Sequence, residues 1–177
     1  IGLEVITFAD PVTFLKQLPE LPHGCLVIDI RMPVLSGLKL QERLAEAQCD
    51  WPAIVISGHG DIDACRQAFK NGAIDFLSKP VDEQDLIDAI QKGHSQLDNR
   101  ATAKAERAEA VALVGQLTPR EQEVLDMLSR GFSTRDIAES LGNSPRTIES
   151  HRAHIAAKLG TTSAAEFARI LIQAGKT

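Results

Sequence analysis

No apolar run in this 177-residue chain approaches the roughly 20 residues that a membrane-crossing helix needs, so no membrane association is expected. The opening stretch, IGLEVITFAD, has neither the basic n-region nor the long apolar h-region of a secretory signal. Cysteine is scarce: Cys25, Cys49 and Cys65 are odd in number, widely spaced and free of any CxxC pair. That argues against a disulfide frame or a thiolate zinc site and for reduced thiols in a cytoplasm. Strong positive charge is lacking as well, since the formal net charge is −5. A nucleic-acid function therefore cannot be read from charge alone and must rest on motif.

What is present is a chain with two characters. Residues 1–92 carry 8 Lys+Arg against 14 Asp+Glu, a net of −6. Residues 93–116 balance at 3 against 3, and residues 117–177 carry 8 against 7, a net of +1. Hydrophobic residues make up 44% of the chain, enough to build a core in each part.

The acidic front alternates short apolar runs with helical patterns. VITFA (Val5–Ala9), CLVIDI (Cys25–Ile30), AIVIS (Ala53–Ser57) and AIDFLS (Ala73–Ser78) read as strands. Helices are predicted to open at Asp10-Pro11, over Ser36–Gln48, and over Asp61–Asn71 before Gly72. Such alternation predicts a parallel sheet flanked by helices. Residues 98–112, DNRATAKAERAEAVA, are alanine- and charge-rich without an apolar stripe wide enough for burial, which suits a solvated helical linker. The back reads as four helices. Thr118-Pro119-Arg120-Glu121 is a capping box, Ser133 and Ser144-Pro145 open the next two, and the fourth spans about Ser163 to Ala174. The middle pair is joined by Gly142-Asn143, the tight connection of a helix-turn-helix.

In VIDIRMP, Asp29 falls where a predicted strand stops, at the carboxyl edge where open α/β sheets place their ligands. Ser57-Gly58 and Lys79-Pro80 end the third and fourth predicted strands, with Phe76 three residues before the lysine. An acid, a hydroxyl and an amine are thus expected at one sheet edge. A phosphoryl group on the acid needs a cation and a hydrogen-bond donor for its oxygens, and Lys79 and Ser57 are of the right kinds.

With Asp29 in DIRMP, Gly37 in LSGL, Ser57-Gly58 in VISGHGD, and Phe76 with Lys79-Pro80 in DFLSKP, residues 1–92 resemble the receiver domain of a two-component response regulator. LTPREQEVLDMLSRG through SPRTIESHRAHIAAKLG resembles a LuxR-type helix-turn-helix, and the whole chain resembles the FixJ/NarL class. The resemblance implies a flavodoxin-like α/β receiver (1–92), a helical linker (93–116) and an all-α DNA-binding domain (117–177). It implies that Asp29 takes a phosphoryl group from a sensor histidine kinase, that Lys79 holds the phosphate and is joined to Pro80 by a cis bond, and that Ser57 and Phe76 form the switch pair.

Receivers of that class begin with a strand ending in acidic residues that, with the phosphoacceptor, bind Mg²⁺. Here Leu3–Asp10 matches the family's second strand, so the receiver is expected to be N-terminally incomplete. Asp29 with one backbone carbonyl makes a poor Mg²⁺ site, because the ion wants several oxygens in octahedral geometry. The alternative is a degenerate receiver that serves as an interaction module without phosphorylation. A phosphotransfer enzyme is disfavoured, since the acid such motifs want two residues on is Arg31 here.

For the back half, the second helix of the motif, Ser144–Leu159, is expected in the major groove, N-terminal end first. Arg146, Glu149 and Ser150 are placed to read base edges, arginine favouring guanine and glutamate accepting from cytosine. His154 lies on the same exposed face. Thr147, His151, Arg152 and Lys158 suit backbone phosphates, with Thr134 and Arg135 adding contacts from the preceding helix. At a net charge near +1 one module would bind promoter DNA weakly, so a homodimer on a two-fold site is expected. Ala164, Ala165, Ala168, Leu171 and Ile172 of the last helix compete between dimer contact and core packing. The resemblance adds a phosphorylation-driven dimer surface on the helix Asp61–Asn71 and the strand after it.

Overall fold

A computed structural model describes residues 2–58 and 62–176. Three short strands, β1 (Leu26–Asp29), β2 (Ala53–Ser57) and β3 (Ala73–Ser78), form a parallel sheet in the order β1-β2-β3. Parallel neighbours need crossovers, and α2 (Gly37–Glu46) and α3 (Ile62–Lys70) supply them. Helix α1 (Pro11–Gln17) precedes the sheet, and α4 (Glu83–Gly115) follows it. Asp61, the expected first residue of α3, lies outside the described residues.

Local chemistry explains the punctuation. Asp10 caps α1 by accepting from the Val12 and Thr13 amides at 2.9 and 2.8 Å, and Pro11 sits in the first turn. Ser36 caps α2 through the Lys39 amide. Alternation along the strands sends Ile28, Ala53 and Val55 to one face, where they pack with Phe14 of α1, Leu40 and Leu44 of α2, and Ala68 of α3. On the other face α4 comes so close at Gly93 that a methyl group there would press on the Cys25 sulfur and lie 3.3 Å from Ile74 Cδ1. The front unit is thus a flavodoxin-like parallel sheet with helices on both faces.

One expected strand is not a strand. Val5–Ala9 has the composition, but the segment makes no ladder, and Val5 is 77% exposed. A strand exists only through a neighbour that takes its hydrogen bonds, and among the described residues no strand pairs with this segment or with the free edge of β1. Phe8 anchors the segment, meeting Phe14 edge-on at 5.2 Å between ring centres. Val27 of β1, the strand at that edge, is 46% exposed.

Residues 83–115 form one continuous helix, and the chain divides into two compact units at Arg100/Ala101. In the second unit lie α5 (Pro119–Ser129), α6 (Thr134–Ser140), α7 (Pro145–Leu159) and α8 (Ala164–Gln173). Thr118/Glu121 and Ser133/Asp136 both form complete capping boxes. Gly160, at φ +70°, ends α7 in the left-handed conformation that a Cβ resists. Val124, Leu125, Ile137, Ile148, Ile155 and Phe167 fill the core. Ala110 and Val114 of α4 are buried in the same core, with Leu113 packed against it, so the last turns of that helix do carry an apolar stripe.

Candidate phosphoacceptor site and nucleic-acid interface

The sheet register brings the carboxyl ends of the three strands level. Asp29 lies opposite Ile56, and Ser57 lies opposite Ser78. The ladder continues one step beyond, with the Ile30 amide donating to Ile56 O at 2.9 Å and the Lys79 amide to Ser57 O at 2.7 Å. Asp29, Ser57 and Lys79 therefore share one edge, as the spacing predicts.

At that edge the Lys79 ammonium donates to Asp29 Oδ2, and the Arg31 amide donates to Oδ1 at 3.0 Å. Partial burial pushes the carboxyl pKa up, but the Lys79 hydrogen bond, the Arg31 amide and both positive charges outweigh it. Asp29 is held below the ordinary carboxylate range and is an anion at neutral pH. The Lys79-Pro80 bond is cis, as expected from the resemblance. Ser57 is buried, Gly58 is exposed beside the Lys79 stem, and Phe76 is half-buried against Val55 and Ala68. Gly37, the first residue of α2, is buried against the Asp29 carbonyl. A methyl group there would press on that oxygen and come within 2.9 Å of Ile28 Cγ2. His59, Gly60 and Asp61 of the VISGHGD motif lie outside the described residues.

In the second unit α6 and α7 pack as a helix-turn-helix, with Gly142 in the turn at φ +63°. Ile148, Ile155 and Leu159 of α7 point inward, leaving Arg146, Thr147, Glu149, Ser150, Arg152 and His154 exposed. Arg152 Nη1 donates to Thr134 Oγ1 at 2.7 Å, joining two of the expected phosphate contacts across the motif. The Thr147 hydroxyl lies 2.8 Å from that of Ser144, Arg135 is exposed, and His151 is half-buried. Lys158 does not point into open solvent: its ammonium donates to Glu121 Oε2 at 2.7 Å.

Glu121 is the residue that sequence reasoning undervalued. Read only as the third residue of a capping box, it is 4% exposed and the one charged side chain buried among the described residues. Its Oε2 also accepts from the Thr118 amide at 2.9 Å, and Oε1 lies 3.8 Å from His154 Nδ1. The Lys158 hydrogen bond, then the Thr118 amide, hold its pKa down to about 2. The signal that could have found it was the i, i+4 spacing of His154 and Lys158, two cationic types on one stripe of α7.

A parallel α/β unit with an acid and an amine at its carboxyl edge, in one chain with a helix-turn-helix, defines a class: regulators that couple a switchable domain to a DNA reader. Comparison with known proteins agrees. The response regulator receiver domain family matches residues 1–91, and the luxR family of bacterial regulatory proteins matches residues 115–171. The chain is 38% identical over 174 residues to the transcriptional regulatory protein FixJ of Bradyrhizobium diazoefficiens, covering 98% of this chain and 85% of that one. It is also 38% identical to the transcriptional regulatory protein TdiR of Thauera aromatica, covering 98% and 76%. Among solved structures, the response regulator StyR matches with a TM-score of 0.80 at 40% identity, over 97% of this chain and 87% of that one. Full-length FixJ from B. japonicum matches with a TM-score of 0.55 at 38% identity, over 96% and 84%. The chain belongs to the FixJ-type response regulators, with a receiver followed by a LuxR-type DNA-binding domain. It is a phosphorylation-switched transcriptional regulator.

Proposed function

We propose that Asp29 is the phosphoacceptor and that a sensor histidine kinase is the donor. One Asp29 carboxylate oxygen forms the new P–O bond as the P–N bond of the donor's phosphohistidine breaks. Lys79 keeps its ammonium at the site and balances the added negative charge, and the Ser57 hydroxyl and Gly58 amide donate to phosphoryl oxygens. Phe76, half-buried against Val55 and Ala68, turns inward as the hydroxyl moves, which converts a local charge into a changed surface. The single observation that carries this reading is the Lys79 ammonium on an ionised Asp29 at the end of β1.

Receivers as a class take Mg²⁺ for phosphorylation. Among the described residues no group of three potential ligands stands at the site, and Asp29 supplies a lone carboxylate. These residues do not by themselves fit the ion.

In the second unit Arg146, Glu149 and Ser150 read base edges of promoter DNA, while Thr134, Arg135, Thr147, His151 and Arg152 position the phosphates. The active form is a homodimer in the cytoplasm, and the protein works by switching, not by turning over a substrate. Ile172 of α8 is 64% exposed and offers a dimer contact, whereas Leu171 beside it is spent in the core. Ile62 and Phe69 of α3, 71% and 48% exposed, offer another.

Intact mass tests the site: the chain is incubated with Mg²⁺ and a small-molecule phosphodonor beside an Asp29→Asn control. One added phosphoryl group, absent from the control, is the expected result. No addition would mean that Asp29 is not an acceptor in this chain and would favour a phosphorylation-independent interaction module.

A further inference from the structure

We propose that Glu121 is a positioning residue for DNA reading: its buried carboxylate holds α7 at the angle that presents Arg146, Glu149 and Ser150 to the bases, and Lys158 serves this clamp instead of contacting phosphate. The inference rests on α7 being the reading helix.

Three observations carry it. First, Glu121 is 4% exposed because its partners cover it, and they take up the hydrogen bonds that water would otherwise make to the carboxylate. Its partners are the Thr118 amide on its own helix and Lys158 on α7, with His154 one turn earlier on α7 at 3.8 Å. Second, the pair joins ends of opposite dipole. Glu121 lies in the first turn of α5, where an anion is favoured, and Lys158 in the last turn of α7, where a cation is favoured. Third, besides the Arg152–Thr134 hydrogen bond to α6, the remaining contacts of α7 are largely apolar, through Ile148, Ile155 and Leu159. Apolar burial is non-directional, so it fixes the depth of a helix better than its rotation. A working constellation must be held within about 0.5 Å and 10–20°, and a directed ion pair supplies that restraint. With its charge already matched by Glu121, Lys158 adds little to the attraction for phosphate.

The test uses the full chain with two probes: a duplex selected by the wild-type chain from a random pool, and a scrambled duplex of equal length. Glu121→Gln, which keeps an oxygen for the Thr118 cap, and Lys158→Met are each expected to lower the selected-over-scrambled affinity ratio about tenfold. The double variant should be no worse than either single, because both remove the same restraint. Lys158→Arg should hold the ratio within about threefold of wild type, since a guanidinium still pairs with a carboxylate. The slope of log affinity against log salt should not change in Lys158→Met. A slope shallower by about one, with equal loss on both duplexes, would make Lys158 a phosphate contact and overturn the proposal. An unchanged ratio in Glu121→Gln would overturn it too. Should that variant fail to fold, as far-UV circular dichroism would show, Lys158→Met alone decides. A wild-type chain that selects no duplex would instead sink the reading of α7 itself.

Discussion

At Asp29 burial and charge pull the same carboxyl in opposite directions, and charge wins because Lys79 touches it directly. Replacing Lys79 by alanine removes the cation that would meet the phosphoryl oxygens. Mass spectrometry should then show phosphoryl incorporation slowed by about 10²-fold, the loss expected when one such electrostatic donor is removed. Gly37 makes a second residue-scale prediction. The Asp29 carbonyl and Ile28 crowd a Cβ at that point, and backbone cannot step aside as a side-chain tip can. Gly37→Ala should cost about 1–3 kcal/mol in urea denaturation and slow phosphorylation of Asp29 by shifting it. Glu121 sets an acid limit. Its folded pKa lies at about 2, below the ordinary carboxylate range, so its contribution is complete above that range. Stability should fall as pH drops from about 4.5 toward about 2, and Glu121→Gln should flatten that part of the curve.

At the scale of elements, α7 joins core to interface through one face each. Ile148 is fully buried there, and Ile148→Ala should cost about 2–5 kcal/mol, read as a lower denaturant midpoint for the second unit. The elements also show what a sequence can disclose. β2 and β3 begin and end where their apolar runs do, and the capping signals at Ser36, Thr118, Ser133 and Ser144 all mark helix starts. These are local: a cap and its amide lie within three residues of each other. Val5–Ala9 failed for the opposite reason, since strand character depends on a neighbour the segment itself does not encode. The Glu121–Lys158 pair spans 37 residues and forms only through the packing of α5 on α7. The site edge was legible because strand ends are local signals and parallel pairing brings them level.

For the molecule as a whole, the family relationship and the two units make one statement: a chemical event in the first unit alters DNA reading by the second. The acidic front and the near-neutral back are consistent with that division of labour, since a kinase partner and a phosphate backbone ask for different surfaces. The most direct measurement is the affinity of the full chain for a wild-type-selected duplex, before and after phosphodonor treatment, in wild type and in Asp29→Asn. Tighter binding by treated wild type, with the Asp29→Asn variant unresponsive, is the predicted result. Equal affinity in treated and untreated wild type, in samples whose mass shows the added phosphoryl group, would contradict the switch.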